Sequence, residues 1–236
     1  MNIFLGELLG SFLLVLLGNG VVANVVLNKT KGNNSGWIVI TLGWAMALFV
    51  AVFVASKFSF AHLNPAVSVA MVMMDKIPAS DLPQFLAGQF LGSLVGALVV
   101  WIAYKQHFDA TENQGSQLAA FSTGPEIRNT AANLVTEIVA TFILVFGILF
   151  IISPDPSLGA IDALPVAFLI LAIGLGLGGP TGFAINPFRD LCPRIMHSIL
   201  PMRNKGGSDW GYAWIPVVGP FIGGILAAVV FKAIAS

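Results

Sequence analysis

Charged residues are scarce in this sequence. Asp, Glu, Lys and Arg make up only 9% of its 236 residues, and eleven acidic groups balance eleven basic ones to a net charge of zero. Soluble domains carry about 25% charged residues, whereas 57% of this chain is hydrophobic. The composition therefore predicts an integral membrane protein.

Several further absences exclude classes of function. The single cysteine, Cys192, excludes an internal disulfide framework, and no run of basic residues indicates a nucleic-acid partner. No cluster of His and Cys suggests a metal site, so neither a metal nor another cofactor is expected. The apolar segments hold no nucleophile beside a base, which argues against an enzyme. Glu7 interrupts the first apolar run with no positive region before it, so no cleavable signal peptide is expected.

Six apolar segments are long enough to span a membrane, which takes about 20 residues. They cover about 4–27, 37–57, 83–104, 131–153, 162–179 and 212–234. Two shorter runs, about 64–75 and 186–198, each open with an Asn-Pro pair. We expect these two runs to be re-entrant half-helices, which occur at membrane depth only when buried in protein or lining a water-filled cavity.

The two Asn-Pro pairs predict where the half-helices begin. Asn is a favoured N-cap and Pro suits the first helical turn, so helices should start at Asn64-Pro65 and Asn186-Pro187. A half-helix that starts inside the membrane directs its positive end and spare N–H groups at the midplane. Two such ends, one in each half of the chain, indicate a pore or a binding site there.

The halves of the chain repeat each other. The nine residues from Glu7 (ELLGSFLLV) match those from Glu137 (EIVATFILV), and the five from Gly88 match the five from Gly219. Three spans in each half would leave the second half upside down relative to the first. We therefore predict a single domain over residues 1–236, with inverted repeats at about 1–105 and 130–236 linked by 106–129.

Glu7 and Glu137 are ionisable groups inside predicted spans, where a charge is expensive. One hypothesis is that they line a pore or carry protons. The other is that each carboxylate accepts hydrogen bonds from the loop that leads into a half-helix. One Glu at the same place in each repeat favours the structural role.

The distribution of basic residues bears on orientation. The side that holds both termini would carry Lys57, Lys76 and Lys232, and the opposite side would carry Lys29, Lys31, Lys105, Arg128, Arg203 and Lys205. Taken alone, the positive-inside rule would place the termini outside the cell.

The motifs around the two pairs, AHLNPAV at 61–67 and GFAINPFRD at 182–190, make the chain resemble the aquaporin (major intrinsic protein) family over nearly its whole length. The resemblance implies a right-handed bundle of six tilted transmembrane helices and two half-helices. It also implies a homotetramer with one pore in each subunit. Family members keep both termini in the cytoplasm, against the charge count. Short termini without targeting segments lead us to expect the cytoplasmic membrane of a bacterium.

The resemblance also implies a narrow selectivity filter. Its members would be Trp44, twenty residues before Asn64, together with Phe183, Arg189 and one glycine of the fifth span, Gly174 or Gly176. Water-selective members carry a His in that span, and this sequence has none there. Asp190 after Arg189 is similar to the glycerol-conducting branch, in which it would brace a loop as a third structural carboxylate.

The family implies a role for each pore residue. Trp44 and Phe183 would form an apolar corner for the carbons of a polyol, and Arg189 would donate to its hydroxyls. The side-chain amides of Asn64 and Asn186 would donate at the midplane. Backbone carbonyls would accept along the pore, from Ala61, His62, Leu63, Gly182, Phe183 and Ala184. The two positive half-helix ends and Arg189 would exclude protons and cations.

One motif departs from the family pattern. The first reads Asn64-Pro65-Ala66, but the second reads Asn186-Pro187-Phe188. A Phe at that place needs more room and is expected either to shift a neighbouring Pro and change solute preference or to be accommodated by a smaller neighbour.

The interpretation we favour is a passive channel for glycerol, with water as a further permeant. Dihydroxyacetone, urea, hydrogen peroxide and protonated small hydroxy acids are slim and neutral, so they could share the pore. One alternative is a water-selective pore. Another is an ion-coupled secondary transporter, which would need Glu7 and Glu137 as a titratable pair facing the cavity.

Overall fold

The computed structural model describes residues 2–151 and 159–235, and no strand occurs in them. Nine α-helices form in these two ranges: α1 (Ile3–Val26), α2 (Trp37–Ala55), α3 (Pro65–Met73), α4 (Leu82–Ala110), α5 (Gln114–Ala119), α6 (Thr130–Ile151), α7 (Leu164–Leu177), α8 (Pro187–Ile199) and α9 (Ile215–Ala235). The predicted all-helical fold is confirmed. The last two residues of the fourth predicted span, 152 and 153, lie outside the described ranges.

Five of the described helices are long and apolar enough to cross a membrane: α1, α2, α4 with the short turn before it, α6 and α9. The predicted fifth span is shorter than expected, because α7 has only 14 residues and is about 21 Å long. A 3-10 helix at Gly159–Ala163 precedes α7 and extends the same segment. The glycine pair Gly178-Gly179 and Pro180 follow α7 and end it earlier than the apolar composition suggested.

Part of the linker between the halves, residues 106–129, is helical. α4 continues six residues past its predicted end at 104 and reaches Ala110. Lys105 and Asp109 form an exposed ion pair one turn apart in this extension, at 2.9 Å. The side chain of Phe108 is fully buried there, and α5 follows within the linker. Burial of an aromatic side chain explains why the helix extends beyond its apolar stretch.

Both half-helices begin where the Asn-Pro pairs predict. The Oδ1 atom of Asn64 accepts from the backbone N–H of Ala66 at 2.9 Å and caps α3. The Oδ1 atom of Asn186 accepts from the N–H groups of Phe188 at 3.1 Å and Arg189 at 3.2 Å and caps α8. In both cases Pro occupies the first helical turn, where its missing N–H costs nothing.

Glycines bring the long helices of each half into close contact. A Cβ atom at Gly92 of α4 would lie 2.3 Å from the carbonyl oxygen of Leu8 in α1. The equivalent Cβ at Gly223 of α9 would lie 2.3 Å from the carbonyl oxygen of Ile138 in α6. Close packing through small residues is the usual means of helix association in membranes. The first and the last spanning helix of each half therefore pack closely together, α1 with α4 and α6 with α9.

Candidate functional site

A cavity of about 420 Å³ lies between α1, α2, α3, α6 and α7 and the loops that lead into the half-helices. One part of its wall is apolar, and its residues include Leu14, Leu48, Val52, Val67, Leu144, Ile148, Val166 and Ile170. The loop residues 61–64 and 183–186 form another part, together with the side chains of Trp44 and Arg189. The cavity thus presents both hydrocarbon and hydrogen-bonding groups.

The two loops share an unusual backbone conformation. Ala61 and Leu63 have φ angles of 52° and 53°, and Phe183 and Ile185 have φ angles of 40° and 46°. These residues stand three places and one place before each capping Asn. Positive φ is uncommon for residues with a Cβ, and it persists only where surrounding contacts fix it. The repeat therefore extends to the strained backbone beside the cavity.

Glu7 fixes the first loop. Its Oε1 accepts from Ser59 Oγ at 2.8 Å and from the N–H of His62 at 3.0 Å. Its Oε2 accepts from the N–H of Leu63 at 2.7 Å and from Gln89 Nε2 at 2.8 Å. The side chain is fully buried, and the four donors satisfy a carboxylate that would otherwise be costly at this depth.

Glu137 fixes the second loop in the same way. Its Oε1 accepts from Thr181 Oγ1 at 2.7 Å and from the N–H of Ala184 at 3.0 Å, and its Oε2 accepts from the N–H of Ile185 at 2.9 Å. Neither glutamate is among the residues that line the cavity. Both carboxylates thus engage N–H groups of the loops and do not use the loop carbonyls.

The cavity lining contains five of the six residues expected to present carbonyls: Ala61, His62, Leu63, Phe183 and Ala184. Ile185 also lines the cavity and was missed, although it stands at the place of Leu63 in the repeat. Gly182, the sixth, lies just before the lining residues, with a φ of 83°. Aligning the two loops by their distance from Asn would have found Ile185.

The His62 ring is packed rather than free. Its Nδ1 lies 3.1 Å from Ser68 Oγ, and the ring stacks on Phe85 with centroids 4.4 Å apart. The ring is therefore engaged with protein groups.

The capping asparagines also tie the two loops together. Asn64 Nδ2 donates to the carbonyl of Ile185 at 2.8 Å, and Asn186 Nδ2 donates to the carbonyl of Leu63 at 2.7 Å. Each bond uses one of the two N–H groups of a side-chain amide. The other N–H of each amide is available at a cavity that both asparagines line.

Trp44 and Arg189 meet at one end of the cavity. The Arg189 guanidinium carbon lies 4.1 Å from the centroid of the Trp44 ring, and both residues are more than nine-tenths buried. Arg can stack on an aromatic face in this way and keep the N–H groups at its edge for hydrogen bonding.

Gly174, and not Gly176, lies beside Phe183. A Cβ at Gly174 would be 3.1 Å from Phe183 Cζ and 2.9 Å from Thr41 Cγ2, whereas a Cβ at Gly176 would meet nothing within 4 Å. Of the two glycines expected for the filter, Gly174 is therefore the one that contacts Phe183. A residue that sequence reasoning missed also lies here: Trp37 Nε1 donates to the carbonyl of Gly174 at 3.0 Å.

Asp190 contacts the linker between the halves. Its Oδ2 accepts from the N–H and the hydroxyl of Thr123, at 2.7 and 2.6 Å. It also forms a fully buried ion pair with Arg194, one turn further along α8, at 2.8 Å. Arg194 in turn donates to the carbonyls of Thr123 and Ser208. This network anchors the linker between the halves to α8.

Phe188 packs away from the cavity. Its half-buried ring packs edge-on against Phe90 of α4, with centroids 5.4 Å apart, and it is not among the residues that line the cavity. The cross-loop bonds of Asn64 and Asn186 remain matched at 2.8 and 2.7 Å. The ring therefore packs against α4, and the two asparagines still bond across the loops.

A half-helix and a buried glutamate occur in the same arrangement in each half of the chain. Residues 1–231 match the sequence profile of the major intrinsic protein family. This chain belongs to the major intrinsic protein family. The family consists of channels and facilitators and is not a family of enzymes. Together with the five apolar helices among the described residues, it shows a multi-pass integral membrane protein.

Relatives of similar length support this assignment. The glycerol uptake facilitator protein of Streptococcus pneumoniae is 57% identical over 98% of this chain and 99% of its own length. A probable glycerol uptake facilitator protein of Thermotoga maritima is 48% identical over the same shares. The X-ray structure of the aquaglyceroporin from Plasmodium falciparum superposes with a TM-score of 0.86 at 30% identity, covering 98% of this chain and 95% of that one. The aquaporin fold is confirmed.

Proposed function

We propose that this protein is a passive channel for glycerol, with water as a second permeant. The observation that carries the proposal is the cavity wall, which is apolar over one part and hydrogen-bonding over another. A linear polyol has the same two faces, since its carbons are apolar and its hydroxyls donate and accept. The relatives named glycerol uptake facilitators support glycerol as the solute.

The filter we propose consists of Trp44, Gly174, Phe183 and Arg189. Trp44 and Phe183 provide the apolar corner, and the N–H groups at the edge of Arg189 donate to hydroxyls. Gly174 leaves the space that Phe183 occupies, because any side chain there would contact the Phe183 ring. Along the rest of the pore, loop carbonyls accept from hydroxyls and Asn64 and Asn186 donate to them.

Charge along the pore supports the exclusion of cations and protons. Of the described residues that line the cavity, the charged ones are Lys76 and Arg189, and both are positive. The N-termini of α3 and α8 add partial positive charge where the two asparagines meet. A cation would therefore lose its hydration shell against a wall of its own sign.

The remaining features of this proposal follow the family. We propose a single channel domain over residues 1–236, a homotetramer, and both termini in the cytoplasm of a bacterium. Dihydroxyacetone, urea, hydrogen peroxide and protonated small hydroxy acids are further candidate solutes, because each is neutral and slim. No cofactor, metal or catalytic activity is proposed.

The test is the swelling of proteoliposomes after osmotic shock, followed by light scattering with glycerol and with an impermeant sugar. Fast re-swelling in glycerol that Gly174→His abolishes supports the proposal, since a His at this place fills the space beside Phe183. The matched control is Gly176→His, where a Cβ meets nothing within 4 Å. Fast water flux without glycerol entry would favour the water-selective alternative.

The ion-coupled alternative needs Glu7 and Glu137 to face the cavity. Neither carboxylate lines the cavity, and Glu7 accepts four hydrogen bonds, three from the loop before α3 and one from Gln89 of α4. Glycerol flux that is unchanged by imposed pH and sodium gradients is expected, and dependence on either gradient would contradict a passive channel.

A further inference from the structure

Trp37 stands behind the proposed filter without lining the cavity. It is the first residue of α2, and its Nε1 donates to the carbonyl of Gly174 at 3.0 Å. Its ring also meets Phe183 edge-on, with centroids 5.8 Å apart and an interplanar angle of 84°. One side chain thus contacts two of the four filter residues.

The hydrogen bond fixes the end of α7. Gly174 lies in the last turn of a helix that ends at Leu177, and the last four carbonyls of a helix have no partner within it. The Trp37 N–H supplies that partner across 137 positions of sequence. The bond therefore ties the start of α2 to the last turn of α7 beside the proposed filter.

The Trp37 ring closes a slot for the Phe183 side chain. A Cβ at Gly178, just after α7, would lie 2.6 Å from Phe183 Cδ1 and 2.7 Å from Trp37 Cζ2. A Cβ at Gly174 would lie 3.1 Å from Phe183 Cζ. Phe183 is therefore held between the indole of Trp37 on one side and Gly174 and Gly178 on the other. Its own backbone is strained, with a φ of 40°.

One face of α2 carries this arrangement. Trp37, Thr41 and Trp44 are spaced by four and three residues, so they point the same way along the helix. Thr41 Cγ2 approaches Gly174, and Trp44 stacks on Arg189. A displacement at the start of α2 would therefore be transmitted to every member of the filter.

We infer that Trp37 is a positioning residue that sets the width of the filter and hence the size limit for linear polyols. This inference rests on the proposed glycerol channel. The N–H of Trp37 holds Gly174 in place, and its ring prevents Phe183 from tilting away from the pore. Loss of either contact widens the aperture, which benefits a bulkier solute more than glycerol.

Two substitutions of Trp37 distinguish its hydrogen bond to Gly174 from its ring contact with Phe183. Trp37→Phe keeps a ring beside Phe183 and removes the N–H donor, whereas Trp37→Leu removes both. The matched control is Trp101→Phe in α4, because the buried Trp101 Nε1 has no hydrogen-bond partner among the described residues. Erythritol and glycerol permeabilities are measured on the same proteoliposomes, with the amount of inserted channel quantified.

The readout is the erythritol-to-glycerol permeability ratio. We expect Trp37→Phe to raise it by at most on the order of fivefold, the factor that corresponds to the whole free energy of one hydrogen bond. Trp37→Leu should raise it further, and Trp101→Phe should leave it unchanged. A role limited to folding would lower both permeabilities together and leave the ratio constant.

The outcomes also distinguish this inference from the proposed function. A wild-type channel that conducts glycerol, with the same ratio in Trp37→Phe and Trp37→Leu, would overturn the role of Trp37 alone. A wild-type protein that conducts water but no glycerol would overturn the proposed function and the inference with it.

Discussion

The Arg189 guanidinium stacks on the Trp44 ring, with its central carbon 4.1 Å from the ring centroid. Trp44 in turn packs on α1, where a Cβ at Gly18 would lie 2.3 Å from Trp44 Cζ3. The contact therefore links three segments that are distant in sequence: α1, α2 and the half-helix α8. One face of the guanidinium is covered by the indole.

Arg189→Lys is expected to reduce glycerol permeability while the amount of folded protein is unchanged. An ammonium retains the charge but loses the planar fork and the stacking on Trp44. The glycerol-to-water permeability ratio should fall on the order of tenfold, since a charge-assisted hydrogen bond contributes about 1.5–3 kcal/mol. The matched control is Arg203→Lys, at an exposed position outside the cavity lining. An unchanged ratio would show that Arg189 acts through charge alone.

Glu137→Gln is expected to destabilise the protein by about 1–3 kcal/mol. The carboxylate accepts three hydrogen bonds with its two oxygens, and the NH₂ group of Gln cannot accept at one of those positions. Thermal unfolding in detergent measures the change, with exposed Glu126→Gln as the control. Wild-type stability in Glu137→Gln, with loss of flux only, would favour a proton-carrying role instead.

Asp190→Asn is expected to cost about 3 kcal/mol or more, because it leaves the buried guanidinium of Arg194 without its charged partner. Both side chains of this pair are fully buried. Asp109→Asn breaks an ion pair with the same one-turn spacing whose side chains are 49% and 37% exposed, and its effect should stay below about 1 kcal/mol. Urea unfolding of the two variants compares them directly, and equal losses would contradict the role of burial.

Phe188→Ala is expected to leave the ranking of permeant solutes unchanged. The Phe188 ring packs on Phe90 and is not part of the described cavity lining. The variant should lose less stability than the roughly 3–5 kcal/mol of a fully buried Phe→Ala change, because this ring is only half-buried. Osmotic swelling with glycerol, urea and erythritol measures the ranking. A changed order would restore the view that this departure from the motif reshapes selectivity.

Short motifs and composition were enough to predict much of the fold. Apolar length located five spans, and the two Asn-Pro pairs located the starts of both half-helices. These features are local, since capping and the length needed to cross a membrane depend on neighbours in sequence. The fifth span was the exception, because apolar composition continued through the glycines that end α7.

The buried carboxylates show where sequence reasoning reaches a limit. The repeat favoured a structural role for Glu7 and Glu137, but the sequence could not say which donors they bind. His62, Leu63, Ala184 and Ile185 donate to them across more than 40 positions of chain. Such partners depend on how the helices pack, which no local pattern encodes.

The sequence by itself determined the class of protein and the half-helices, and its resemblance to a known family pointed to Trp44, Phe183 and Arg189 as filter residues. Only the tertiary structure placed Gly174 beside Phe183, Phe188 against α4 and Trp37 beside Gly174. Composition, capping and repeats are properties of neighbouring residues. Distances between α2, α7 and the loop before α8 arise only when the helices pack, and those distances define the width of a pore.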